Sequence, residues 1–223
     1  MKFKLLPTII ISTAFITLMS FGFWQLQRLT LKQTLIEHIN QKIEQEAVAL
    51  PQEFKPSSDS AYTKYKISGK FIKDKNIFLY GSNFALPSKA GYFIFTPFLS
   101  WAGEYFLVNR GWSESKNIAP TDNDDEITVL LMLPQKAHFS TPKNDLKKNI
   151  WLSVDLPEAA AFTGLNINQS FYLTVIEGNS DLLLPHAKDF TKIRNNHLEY
   201  AITWFSLALA LLIVVYGKCR RSF

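Results

Sequence analysis

Apolar positions along this chain fall into three regimes, two unbroken runs near the ends and an alternating stretch between them. From Leu5 to Gln27 no residue is charged, and the apolar part extends to Leu26. A bilayer hydrocarbon core roughly 30 Å thick needs about 20 such residues in a helix. From Tyr200 to Gly217 the chain is again uncharged, with Leu207 to Val215 almost wholly aliphatic. The first run is longer than the apolar core of about 7–15 residues in a secretory signal. Phe21, Phe23 and Trp24 stand where a cleavage site would need small residues. The pattern predicts a retained membrane helix. For the second run, a buried core helix is the alternative. Lys218, Arg220 and Arg221 directly after it favour a membrane stop.

Between Leu29 and Leu50 the period changes. Leu31, Leu35, Ile39, Ile43 and Ala47 recur every four residues, with Glu37, Gln41, Lys42, Glu44 and Gln45 opposite. That spacing predicts an amphipathic helix, continuous with the first membrane segment and packed on the central domain. Lying on a lipid surface is the alternative.

Strand-like runs follow. Tyr62 to Phe71 alternates, placing Tyr65, Ile67 and Gly69 on one face. Asn76–Tyr80, Gly91–Leu99, Glu104–Trp112, Glu126–Leu133, Ile150–Val154 and Ser170–Glu177 bring the expected number to about seven. Ser100 to Gly103 reads as a hairpin turn. Asp155 to Gly164 predicts a short helix with Asp155 as N-cap, Pro157 in its first turn and Gly164 near its end. Strands with one or two helices predict a small sheet or barrel-like domain. The fold class expected is α+β: N- and C-terminal transmembrane helices flanking a β-rich extracytoplasmic domain.

Charge decides orientation. The formal net charge is +5, but Lys2, Lys4, Lys218, Arg220 and Arg221 supply much of the excess from the tails. Positive charge in short flanking segments reports the cytoplasmic side, so no nucleic-acid partner is expected. The expected organisation is a cytoplasmic tail at 1–4, a transmembrane helix at 5–27, a periplasmic domain at 28–199, a second helix at 200–217 and a cytoplasmic tail at 218–223. The single cysteine, Cys219, falls in the inner tail, which leaves the outer domain without disulfide or thiolate chemistry. The first membrane run begins within a few residues of Met1, leaving no space for an Arg-rich transit peptide. A bacterial inner membrane is therefore expected.

Catalytic signatures are sparse. His38, His138, His186 and His197 show no metal-ligand spacing, and there is no phosphate loop or nucleophile elbow. The informative region is the outer membrane boundary. Trp24, Gln25 and Arg28 end the first membrane run, while His197, Tyr200, Ala201 and Trp204 begin the second, sharing one helix face. An interfacial belt of Trp, Tyr and Arg accounts for most of these residues. It accounts less well for His197.

Three blocks carry a resemblance. Gly22-Phe23-Trp24-Gln25-Leu26-Gln27-Arg28, with Lys32 following, resembles the first-helix signature of the surfeit-locus-one family, called Shy-one in yeast. Gly91-Tyr92, Thr96-Pro97-Phe98 and Leu107-Val108-Asn109-Arg110-Gly111-Trp112 resemble its central motif. Asn196-His197-Leu198-Glu199-Tyr200-Ala201-Ile202-Thr203-Trp204-Phe205 resembles its motif at the second helix. The blocks stand in family order and span nearly the whole chain. Ser113-Glu114, where relatives usually carry an aliphatic residue and a proline, and Ala90, where many bacterial relatives have histidine, depart from the pattern.

The resemblance implies an assembly factor for haem-copper terminal oxidases, especially cytochrome c oxidase, which assists delivery or insertion of haem a into the catalytic subunit. It implies a non-enzyme whose partners are that subunit, other oxidase assembly factors and membrane lipid. A haem-iron ligand is implied at His197. Trp24, Tyr200 and Trp204 would stack on the porphyrin, and Arg28 would pair with a propionate. Asn109, Arg110 and Trp112 are candidate partner contacts, since Arg and Trp are favoured interface anchors. The alternative for them is a strand end with Arg110 paired internally and Trp112 packed. Two other readings stay open: a scaffold that binds oxidase subunits without haem, and a membrane-anchored enzyme.

Overall fold

The computed structural model describes residues 5–221 apart from 53, 84–85, 119–125, 136–141 and 179–181. The tail lysines Lys2 and Lys4, and His138, lie outside the described residues. The chain divides into two compact units, residues 1–38 with 192–223, and residues 39–191. The elements in chain order are α1 (Leu5–Glu44), β1 (Val48–Ala49), β2 (Lys64–Ile67), β3 (Gly69–Phe71), β4 (Ile77–Asn83), β5 (Leu86–Ser100), β6 (Tyr105–Ser113), β7 (Ile127–Met132), α2 (Leu156–Thr163), β8 (Tyr172–Glu177) and α3 (His197–Arg221). The fold class is α+β.

In the first unit, α1 and α3 are long and apolar enough to cross a membrane, with mean hydropathies of 1.8 and 2.1 over their best windows. Only 6% and 11% of those windows is buried, which sets them apart from core helices of a soluble domain. Leu5, Ile10, Ile16, Ile213 and Val214 stand exposed. Such continuous apolar surface is stable in lipid and costly in water. α1 is one helix of 40 residues, so the predicted passage from membrane run to amphipathic helix occurs without a break. The amphipathic stretch ends at Glu44 rather than Leu50, and Val48–Ala49 form a short strand instead. Of its expected buried face, Ile39 and Ile43 are buried while Leu31 and Leu35 are exposed.

The second unit is built on a mixed sheet ordered β1-β2-β7-β8-β6-β5-β3, with β4 on β5. β2 and β3 are one run of chain interrupted at Ser68. Its first half pairs antiparallel with β7 and its second half with β5. Because β7, β8, β6 and β5 are successive neighbours, the sheet closes on itself as a small barrel. Closure removes two edges that would otherwise present unpaired backbone groups.

Side-chain alternation then sorts residues inside and outside. Tyr65, Ile67, Phe98, Phe106, Val108, Val129, Leu131, Phe171 and Leu173 form the inner core. Phe106 and Phe171 stack at 5.5 Å between ring centroids, a pair worth about 1 kcal/mol beyond area burial. The outer face of β4, β5 and β6 supplies Ile77, Phe95 and Leu107, which α2 and Trp151 cover with Leu156, Ala159 and Trp151 itself. β6 is thus buried on both faces, which explains the unbroken apolar run from Tyr105 to Val108.

Local predictions follow their chemistry. At the β5–β6 hairpin, Gly103 has φ +87° and Ser100 N–H donates to Glu104 O at 2.9 Å. In α2, the Asp155 carboxylate accepts from Glu158 N–H at 2.9 Å and Gly164 closes the helix at φ +67°. The expected strand at Ile150–Val154 is reduced to bridges at Ile150 and Trp151. Beyond them the Asn144 side chain takes the N–H groups of Leu152 and Ser153 at 2.8 and 3.2 Å, which diverts their backbone from a ladder.

Candidate functional site

In the helical unit, α1 and α3 touch around one small residue. A Cβ on Gly22 would lie 2.4 Å from the Phe205 ring, so glycine lets that ring rest on the α1 backbone. On either side, Phe21 packs against Trp204 at 4.9 Å and Phe23 against Phe205 at 5.4 Å between centroids. Ala201 and Ala208 are buried on α3. Small residues and aromatic rings together allow close approach of two helices in an apolar medium.

One helical turn beyond Gly22 on α1, the contact becomes polar. Gln25 is buried, and its Oε1 lies 2.7 Å from His197 Nδ1. A side-chain carbonyl only accepts, so His197 Nδ1 carries the hydrogen and donates it. In the neutral ring the other nitrogen, Nε2, then holds the lone pair. Among the described residues it has no hydrogen-bond partner. The contacts run antiparallel, from Gly22–Phe205 to Gln25–His197, and each lies within the helical unit.

The five residues predicted to hold a cofactor at the membrane boundary separate into two groups. His197 is half-buried on Gln25, and Trp204 is half-buried on Phe21. Trp24, Arg28 and Tyr200 are exposed on their helices, Trp24 at 50% and Tyr200 at 54%. Sequence reasoning placed Gln25 at the boundary but gave it no part in the site. The signal for it was its position, an amide three residues from Gly22 on the same face of an uncharged run.

The central motif has a different setting. Asn109, Arg110 and Trp112 are 7%, 5% and 3% exposed, and β6 continues past them to Ser113. Asn109 Oδ1 accepts from Gly111 N–H at 3.1 Å, Trp112 Nε1 donates to Gly81 O at 2.9 Å, and the Arg110 guanidinium lies 4.9 Å from the Phe71 ring centroid. Pairing jumps from Phe93↔Trp112 to Phe95↔Asn109, leaving one extra residue on β6. Gly111, at φ +130°, occupies this bulge with Leu182 and Leu183 against it. All three candidate contact residues thus point into the domain, and Gly111 meets the close approach its identity suggested.

Burial, with Tyr62 adding to it, pushes Tyr172 up to about 12, and burial also raises Tyr65. Both stay neutral at ordinary pH and offer no anion.

A sequence model of the SURF1 family matches residues 13–209. The chain is 40% identical to a SURF1-like protein of Rickettsia prowazekii (strain Madrid E), covering 96% of this chain and 89% of that relative. A SURF1-like protein of Drosophila melanogaster is 30% identical over 91% of this chain and 74% of its own length. Surfeit locus protein 1 of Homo sapiens is 25% identical over 93% and 75%.

Proposed function

The chain belongs to the SURF1 family, and on that premise we propose that it is a non-catalytic assembly factor for a haem-copper terminal oxidase. It binds haem a through His197 and passes it toward the oxidase catalytic subunit, alongside other assembly factors. The observation that carries this reading is the Gln25–His197 hydrogen bond at 2.7 Å. In a neutral imidazole this contact leaves the Nε2 lone pair available, and the neutral ring is the form in which histidine ligates haem iron.

The donor set fits a haem. Among the described residues no three His, Cys, Asp or Glu side chains gather as a metal-binding group, and the one imidazole of His197 suits a metal already held by a porphyrin. Its iron would take His197, its ring would lie against Trp204 with Trp24 and Tyr200 beside it, and Arg28 would meet a propionate. Haem, when bound, would supply an iron that takes an imidazole nitrogen; the chain would supply an apolar surface and the imidazole of His197 held by Gln25. The buried β6 motif holds the β domain together, and the surface around it is left to contact oxidase subunits.

The proposed topology places α1 across the bilayer over residues 5–27 and α3 over 200–217. Both termini are then cytoplasmic and residues 28–199 lie on the periplasmic face of a bacterial inner membrane. Two apolar helices with basic residues beyond them support it.

Purification of the full chain from a host that makes haem a, followed by an absorption spectrum and pigment extraction, tests this reading. A haem spectrum lost in His197→Ala is the expected result. Unchanged stoichiometry in that variant removes His197 from the site. Unimpaired oxidase activity after gene deletion defeats the assembly role.

A further inference from the structure

The haem reading assigns His197 a ligand's role but gives no reason why its imidazole presents the correct nitrogen. We propose that Gln25 is the positioning residue of this site: it fixes the tautomer and rotation of His197 so that Nε2 is the nitrogen offered to an incoming iron. The inference rests on that reading for the identity of the ligand, but the tautomer itself belongs to the chain alone.

Gln25 is 9% exposed, flanked in the helix by Trp24 and Leu26. Burying an amide in an apolar setting without a hydrogen-bond partner is strongly unfavourable. A residue of this cost persists where its polar atoms are used. Its Oε1 reaches across to α3 and meets His197 Nδ1 at 2.7 Å, a short distance for a nitrogen donor and a carbonyl acceptor.

Gly22 sets that reach. Its missing side chain lets Phe205 rest on the α1 backbone one turn away, which brings the helices close enough for a glutamine to span them. Gly22 and Gln25 lie three residues apart on α1, and His197, Ala201 and Phe205 follow at four-residue steps on α3. The same two faces therefore carry both the close packing and the polar bond.

The consequence for ligation follows from imidazole chemistry. A neutral imidazole has one N–H and one lone pair. An acceptor at Nδ1 assigns the hydrogen there and the lone pair to Nε2. It also restrains ring rotation and makes the ligating nitrogen more basic. Such supporting partners typically change metal affinity by about 10–100-fold.

The test uses the full chain in detergent with labelled histidine, in its haem-free and haem-loaded forms. In the haem-free protein, nitrogen NMR of His197 is expected to show hydrogen on Nδ1. Gln25→Ala is expected to move it toward Nε2, and Gln25→Glu, which keeps an acceptor, to restore it. In protein loaded with haem a, Gln25→Ala is expected to weaken binding by about 10-fold or more, and Gln25→Glu to lower the reduction potential below wild type. A tautomer unchanged in Gln25→Ala overturns the proposal even if haem binding stands. Equal affinity and potential in all three proteins overturn it as well. Wild-type protein that binds no haem refutes the haem reading, and the tautomer measurement still decides what Gln25 does.

Discussion

At the scale of single residues, two glycines with positive φ separate strain from contact. Gly103 at φ +87° sits in a hairpin turn where an added methyl would meet nothing within 4 Å, whereas Gly111 at φ +130° would press a methyl to 2.9 Å from Leu182 Cβ and 3.0 Å from Leu183 O. Gly103→Ala is expected to cost only the backbone term, about 1–2 kcal/mol. Gly111→Ala adds overpacking against a backbone oxygen and is expected to cost about 2–4 kcal/mol. Denaturant midpoints of the two variants measure the difference; equal shifts would show that the bulge yields freely. The need for glycine in the Asn109–Trp112 block was legible in the sequence. Internal packing of Arg110 was one of the two readings the sequence offered; its partner, the Phe71 ring, was not legible, because β3 and β6 meet only through the fold.

At the scale of elements, legibility followed the range of the interaction. The cap of α2, the β5–β6 hairpin and the two apolar helices depend on residues a few positions apart, and the sequence carried all of them. Closure of the sheet depends on Lys64–Phe71 pairing with β7 and then with β5, partners far away in the chain, so only a barrel-like outline was readable. The missing strand at Leu152–Val154 failed for a similar reason, since the competing acceptor is the side chain of Asn144. Helix pairing gives the sharpest element-scale prediction. Gly22→Leu places a side chain where the Phe205 ring rests and is expected to force α1 and α3 apart. Cross-linking between cysteines introduced at Phe21 and Trp204, with Cys219 replaced by Ser, is expected to fall. Phe205→Ala in the same chain is expected to restore much of the yield by vacating the space. A Phe205→Ala change that restores nothing would show that the two residues do not share one contact.

At the scale of the whole molecule, the candidate site was half legible: three motif blocks named His197, Trp204 and their neighbours, while the partner of His197 required the spatial match between helix faces. The same division into two units has a measurable consequence. The β domain is held by apolar side chains removed from water, among them Trp112 and Trp151 at 3% and 1% exposed, and urea weakens that driving force. The membrane-type helices satisfy their backbone hydrogen bonds internally and, inside a detergent micelle, face little competing water. Urea titration of the detergent-solubilised chain is therefore expected to unfold the β domain cooperatively, with a red shift in tryptophan emission. Much of the helical far-ultraviolet signal from α1 and α3 should survive that transition. Loss of all helical signal in the same step would mean that the helices persist only while the β domain is folded, and the Gln25–His197 contact would then have no independent framework to hold it.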